Sequence, residues 1–229
     1  MRKLRLVFPG FPCAPEPWLE FLPSDRRNEV VPFSRVLLDT SRLTVSAMAS
    51  MVATEIVTRK PATVVCHDFG GIFTLLAMAK LAAKDALPPC KVVVFNTAVY
   101  DFNVFVNRHP FKMQAATWER IERVAREIGT VADPAYATAM PRVRALYRRV
   151  ILASLVGMAL PGARRRIDLG VPSLFLRSND DPFIAPRTLD ALAEDVRFSR
   201  VAAMDYGHFP HSHPNAHALR SELVSFESD

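Results

Sequence analysis

No stretch of the 229-residue chain approaches the ~20 consecutive apolar residues of a membrane-spanning helix, so no membrane partner is expected. The opening run from Met1 to Phe8 is too short for a secretory signal before Pro9 and Gly10 interrupt it. Cysteine is scarce. Cys13, Cys66 and Cys90 are odd in number and far apart, which argues against a disulfide framework and for reduced thiols in a cytoplasmic protein. Internal repeats and low-complexity linkers are missing, so one domain with a sizeable core is expected. Neither a metal nor a cofactor is expected. The histidines His208, His211, His213 and His217 cluster in sequence, but no cysteine or glutamate stands beside them to complete a zinc site, and the last three read as surface or helix-cap residues.

Cationic charge is what the chain has in excess. The net charge is +6, with arginine concentrated at Arg142, Arg144, Arg148, Arg149, Arg164, Arg165 and Arg166. The plain reading is a solvated helical face. The sharper one is a rim that meets an anion, such as a phosphopantetheine or coenzyme A group or an acidic carrier protein. Nucleic acid is not expected, because no binding motif or interleaved aromatic set accompanies the charge.

One stretch organises the chain: Thr63-Val64-Val65-Cys66-His67-Asp68-Phe69-Gly70-Gly71-Ile72. β-branched residues lead into a sharp turn and then into an apolar helix-forming run. A strand that turns abruptly into a helix with a reactive side chain at the bend is a nucleophile elbow, usually G-x-S-x-G. Here Cys66, Gly70 and Gly71 supply small residues for the crowded backbone, and Asp68 stands where the serine would be. The simpler alternative is a turn whose aspartate only caps the helix.

Taken in order, the chain reads as a strand at Leu4–Phe8, a strand at Glu29–Phe33, a helix from Leu43 to Thr58 and a strand at Ala62–Cys66. A helix from Gly71 to Lys84 and a strand at Lys91–Phe95 follow. Residues 99–168 offer helical runs, at Ala115–Ile128 and Pro141–Ala159, and no convincing strand. A strand at Pro172–Arg177, a helix at Pro186–Glu194, a strand at Arg197–Ala203 and a helix from Pro214 to Phe226 complete the chain. Alternating strands and helices imply an α/β fold: a parallel sheet covered on both faces, with six strands in the order 2-1-3-4-5-6. Residues 1–98 and 169–229 would form the core. Residues 99–168 would form a compact helical cap over the carboxyl ends of the strands, where such sheets bind ligands.

Three segments end strands at that edge: the Asp68 elbow, Asp180-Asp181-Pro182-Phe183, and Gly207-His208-Phe209. In this order and with these motifs the chain resembles the α/β-hydrolase fold, and within it the aspartate-nucleophile branch of epoxide hydrolases and haloalkane and fluoroacetate dehalogenases. His67-Asp68-Phe69-Gly70-Gly71 is similar to the H-D-W-G-G of epoxide hydrolases. Pro9-Gly10-Phe11-Pro12 resembles the H-G-x-P loop with its histidine replaced. The likeness spans nearly the whole chain, the first strand here matching the family's third.

The resemblance implies a catalytic set of Asp68, Asp181 and His208, with Asp180 the alternative acid one residue away. Backbone N–H groups of Phe11 and Phe69 would hold the Asp68 carboxylate and keep its pKa low. Asp68 would attack a saturated carbon to give an alkyl ester, and His208, oriented by Asp181, would activate the water that cleaves it. Pro12, His67, Trp118, Tyr136 and Tyr147 are further candidates for substrate contact. Phe11 and Phe69 occupy the places where haloalkane dehalogenases carry their halide-binding residues, which favours an epoxide over a halide. Chemistry other than hydrolysis on the same fold, such as a lyase or cyclase using Asp68 or His208 as acid or base, and a non-catalytic binding module remain as alternatives.

Overall fold

The computed structural model describes residues 3–10, 13–39, 44–97 and 168–229, together with positions 123, 141, 142 and 145. Among these residues the strands are β1 (Leu4–Phe8), β2 (Arg27–Val30), β3 (Thr63–His67), β4 (Lys91–Phe95), β5 (Ser173–Ser178) and β6 (Ser199–Met204). They form one sheet in the order β2-β1-β3-β4-β5-β6, with every neighbouring pair parallel. The expected order is the observed one. β3 is buried along its whole length and β4 along all but its first residue, as strands covered on both faces must be; apart from His67 and Lys91 their residues are apolar or β-branched.

Helices cover each face. α2 (Phe33–Asp39), α3 (Val45–Arg59), α4 (Asp68–Ala82) and α5 (Pro186–Asp195) bury Phe33, Met48, Ile56, Phe73, Met78 and Leu192 against one side. α1 (Pro15–Phe21) and α6 (Ala216–Ser228) bury Trp18, Phe21, Leu219, Leu223 and Phe226 against the other. Thr44 caps α3 by accepting from the Ala47 N–H at 3.1 Å.

The sequence reading missed two elements. The sequence pattern assigns nothing to Pro15–Phe21, which forms α1 and carries two prolines. Both lie in the first turn, where a missing N–H costs nothing. β2 ends at Val30 rather than Phe33, because the Pro32 carbonyl already accepts from the Arg35 and Val36 N–H groups and starts α2. The expected cap, 99–168, falls almost wholly outside the described residues.

One charged cluster locks the far end of the sheet from the elbow. Arg5, on β1, is fully buried and points its guanidinium at Glu227 near the end of α6. Nε donates to both carboxylate oxygens at 2.9 and 3.0 Å, and Nη2 donates to Oε2 at 2.5 Å. Nη1 donates to the Pro23 carbonyl at 2.7 Å and pairs with Asp25 at 2.9 Å. Burial of a pair like this is tolerated only when its remaining donors are also satisfied, as they are here. Glu227→Ala should therefore cost about 3–5 kcal/mol in urea unfolding, while the double replacement Arg5→Met with Glu227→Leu should recover most of it. A single-variant loss below ~1 kcal/mol would remove the pair from the account of stability.

Candidate active site

β3 runs directly into α4 with no intervening loop, and Asp68 is the residue at the bend. Its φ is 46°, a left-handed backbone that non-glycine residues avoid except where their surroundings impose it. Those surroundings are closely fitted. A Cβ on Gly70 would sit 2.1 Å from the Phe8 carbonyl oxygen, and one on Gly71 would sit 2.4 Å from the Thr97 hydroxyl. A Cβ on Gly10 would sit 2.5 Å from the Asp68 Cβ and 2.6 Å from its Oδ2. The three glycines thus mark where β1, α4 and the end of β4 close around one side chain. The Asp68 N–H donates to the Asn96 carbonyl at 3.2 Å, and the Asp68 carbonyl accepts from the Thr97 hydroxyl at 2.7 Å.

The loops after β5 and β6 converge on the same edge. His208 Nδ1 lies 2.9 Å from Asp181 Oδ2, and both side chains are buried. Asp181 Oδ1 accepts from the N–H groups of Phe183 and Ile184, at 2.7 and 3.0 Å, so one carboxylate oxygen fixes the loop and the other faces the ring. The ring is walled by Phe183 and Phe209, at centroid distances of 4.9 and 4.8 Å. Of the two adjacent aspartates, Asp181 is the one that meets the His208 ring. Asp180 faces the other way, accepting from the Ser178 hydroxyl at 2.6 Å and from the Tyr206 and Gly207 N–H groups at 3.0 and 2.7 Å.

Two residues whose tasks the sequence did not disclose tie these loops together. Asn96, after β4, donates through Nδ2 to the Gly207 carbonyl at 2.8 Å and accepts at Oδ1 from the Ser178 N–H and the Tyr206 hydroxyl. His67, expected among the substrate contacts, is instead fully buried scaffold. Its Nδ1 accepts from the Gly10 N–H at 3.4 Å, and its Nε2, 2.8 Å from the His208 carbonyl, must carry the proton because a carbonyl only accepts. Only a buried histidine between a glycine on one loop and a carbonyl on the other would have signalled this, and neither is a sequence pattern.

Burial shifts the titrations of the site. It pushes the Asp68 carboxyl up to about 6, against the pull of His208 and the Phe69 N–H; Asp181 adds to the rise. The expectation of a low pKa is corrected by this desolvation. Burial also opposes the cationic form of His208, but the Asp181 carboxylate, and Asp68 beyond it, hold that imidazole above the ordinary histidine value. Burial and then the charge of His208 push His67 well below it.

Asp68, Asp181 and His208 are therefore brought to one place, with Phe69 beside them: its N–H bonds the Asp68 carboxylate and its ring is in the core against Phe33. Phe11, Pro12, Trp118, Tyr136 and Tyr147 lie outside the described residues, as do Arg144, Arg148 and Arg149. His211 differs from its expected surface setting. It packs edge-on against Trp18 at 5.5 Å, and burial, then His208, lowers it to about 4. Cys13 and Cys66 are buried as expected, and burial pushes both thiols up, Asp68 adding to the shift at Cys13.

The Asp68 shift has a stability consequence. With a carboxyl near 6 in the folded chain against 3.8 when exposed, the unfolded state sheds its proton first, so stability falls as pH rises through that window. Asp68→Asn removes the loss and tolerates the left-handed backbone. Its advantage over the parent should grow from near zero at about pH 4 to roughly 3 kcal/mol above pH 7, measured by urea unfolding. An advantage that does not change with pH would contradict a buried, ionising Asp68.

Comparison with solved structures gives the same architecture on other sequences. An epoxide hydrolase of Bacillus megaterium, in complex with an inhibitor, superposes with a TM-score of 0.64 at 14% identity, covering 100% of this chain and 94% of that one. RedJ, the thioesterase of the prodiginine biosynthetic pathway in Streptomyces coelicolor, gives 0.61 at 16% identity, covering 98% and 90%. ClbQ, from the colibactin NRPS/PKS pathway, gives 0.63 at 14% identity, covering 100% and 99%. No curated protein matches the sequence. The profile of the alpha/beta hydrolase family matches residues 6–218, which takes in the elbow, the acid loop and the histidine loop. By that match the chain belongs to the alpha/beta hydrolase family.

Proposed function

We propose that the protein is a hydrolase in which Asp68 attacks a saturated carbon, with an epoxide as substrate. The observation that carries this reading is a carboxylate, in place of a hydroxyl, at the strained bend of β3 and α4, facing an imidazole already paired to an acid. The fold is shared with an epoxide hydrolase and a thioesterase alike, so the fold does not choose the reaction. The residue at the elbow does. A carboxylate attacking a thioester would yield an acyl anhydride, whereas attack on an epoxide carbon yields an ordinary ester and relieves ring strain.

In the first step an Asp68 oxygen bonds to the ring carbon, the carbon–oxygen bond of the ring breaks, and the released alkoxide takes a proton. Tyr136 and Tyr147 are the proposed donors of that proton. In the second step water attacks the Asp68 carbonyl carbon and gives its proton to His208 Nε2, free because Nδ1–H faces Asp181. The acyl–oxygen bond breaks, the departing alkoxide takes the proton back from His208 and leaves as the diol, and the proton on the regenerated Asp68 carboxyl returns to the phenolate left by the first step. Hydrolytic dehalogenation would use the same two steps with halide as the leaving group.

A second reading draws on the Asp68 carboxyl near 6, a value suited to proton transfer near neutral pH. In it Asp68 acts as a base for a lyase or cyclase and forms no ester. His208→Ala separates the two. With an aryl epoxide such as styrene oxide, the variant should accumulate an adduct of one substrate mass, mapped by peptide mass spectrometry to Asp68. Asp181→Asn should slow turnover by roughly 10⁴-fold through loss of the ring's orientation. No adduct from epoxides or haloalkanes would overturn the nucleophile reading and favour the base.

A further inference from the structure

We propose that the Asn96 side chain is a positioning residue for the hydrolytic half-reaction, fixing where the His208 imidazole stands over the Asp68 ester. The inference rests on the nucleophile reading above.

The main chain and the side chain of Asn96 serve different partners. Its carbonyl accepts the Asp68 N–H and belongs to the elbow, whatever side chain the residue carries. Its amide group turns entirely to the acid and histidine loops. Nδ2 lies 2.8 Å from the Gly207 carbonyl and 3.4 Å from that of His208, while Oδ1 accepts from the Ser178 N–H at 3.2 Å and the Tyr206 hydroxyl at 2.8 Å. A primary amide has two donors and an acceptor oxygen with two lone pairs on one rigid plane; here both donors face loop carbonyls, and Oδ1 takes the Ser178 N–H and shares the single Tyr206 hydroxyl proton with the Leu176 carbonyl. The residue is buried and its φ is 29°, a region in which asparagine is enriched.

The side chains of Tyr206 and Phe209 anchor the histidine loop in the core, and its backbone carbonyls are held by hydrogen bonds. Gly207, immediately before His208, has a φ of 63° and nothing within 4 Å of where a Cβ would be. No side chain of its own fixes its peptide planes, which are oriented by hydrogen bonds among the described residues. Asp180 takes the N–H groups of Tyr206 and Gly207, His67 takes the His208 carbonyl, and Asn96 takes the Gly207 carbonyl. Releasing that carbonyl would let the loop pivot and move the ring relative to Asp68. Asp68 itself would keep its main-chain bond to residue 96 and its fitted surroundings. Ester formation needs only the elbow. Ester hydrolysis needs water aligned between the ring and the Asp68 carbonyl carbon, and a displacement of about 1 Å can cost on the order of 10²-fold.

The test is a rapid-mixing measurement of the two half-reactions with styrene oxide, on the parent, His208→Ala, Asn96→Gly and the isosteric Asn96→Asp. The glycine variant keeps the backbone conformation available, and the aspartate variant keeps the shape. Hydrolysis should fall about 10²-fold in Asn96→Gly while ester formation falls far less, so that the ester accumulates during turnover. In Asn96→Asp a protonated carboxyl can still donate to Gly207, and an ionised one cannot. Its hydrolysis rate relative to the parent should therefore drop as pH rises. His67, Asp68, Asp180, Asp181, Tyr206 and His208 surround the position, and an introduced carboxylate shifts their titrations as well, so the ratio is read against full pH profiles of both proteins and of His208→Ala. Equal losses in both half-reactions, or no loss in either, would overturn the positioning role. So would a pH-independent ratio in Asn96→Asp. An absence of ester even in His208→Ala would instead overturn the nucleophile reading, and the two failures are thereby distinguished.

Discussion

Asp68 is held in a left-handed backbone conformation by a crossing so tight that three neighbouring positions admit no Cβ. Gly70 lies against the carbonyls of Phe8 and Pro9, Gly71 against Thr97, and Gly10 against the carboxylate itself. The remaining geometry of the site follows from this crossing. Because β3 enters α4 without a loop, the side chain at the bend must project from the carboxyl edge of the sheet. Parallel pairing of β4, β5 and β6 then delivers Asn96, Asp181 and His208 to the same edge. The bend is a strained, half-buried position, and the strain fixes the direction of the Asp68 side chain.

The electrostatics pull against stability. Burial alone would neutralise Asp68, and it would also discharge His208. Asp181 reverses the second effect by lying against Nδ1, and His208 moderates the first. His67 lies beside the His208 imidazole, at a ring-centroid distance of 4.9 Å, but is kept neutral, since a proton on Nδ1 would remove the acceptor that the Gly10 N–H uses. One imidazole thus serves the scaffold while its neighbour is left able to titrate.

The sheet was legible because its strands are local signals. In Lys91–Phe95 four apolar residues follow one lysine and stop at Asn96, and the bounds were read to the residue. The pairing of Asp181 with His208 was legible through Pro182, which follows Asp181 as in the acid loop the chain resembles. The rest of the site was not. Asn96 looks like a strand terminator, Asp180 like a spare acid and His67 like a flanking residue of the elbow motif. Each acquires its task only where chain segments far apart in sequence meet: Asn96 lies 110 positions from Tyr206, and His67 lies 141 from His208. The rise at Asp68 was missed for a related reason. A sequence shows which N–H groups can hold a carboxylate but not how completely water is excluded from it.

The central claim, that Asp68 forms a covalent bond with substrate, is tested most directly by where the oxygen of water goes. In a single turnover in heavy-oxygen water, with enzyme in excess over epoxide, the account predicts that the label enters the Asp68 carboxylate. The diol would then carry the unlabelled oxygen that Asp68 gave up. Label found wholly in the diol, with none on the protein, would mean that water attacked the substrate itself and that Asp68 never bonded to it.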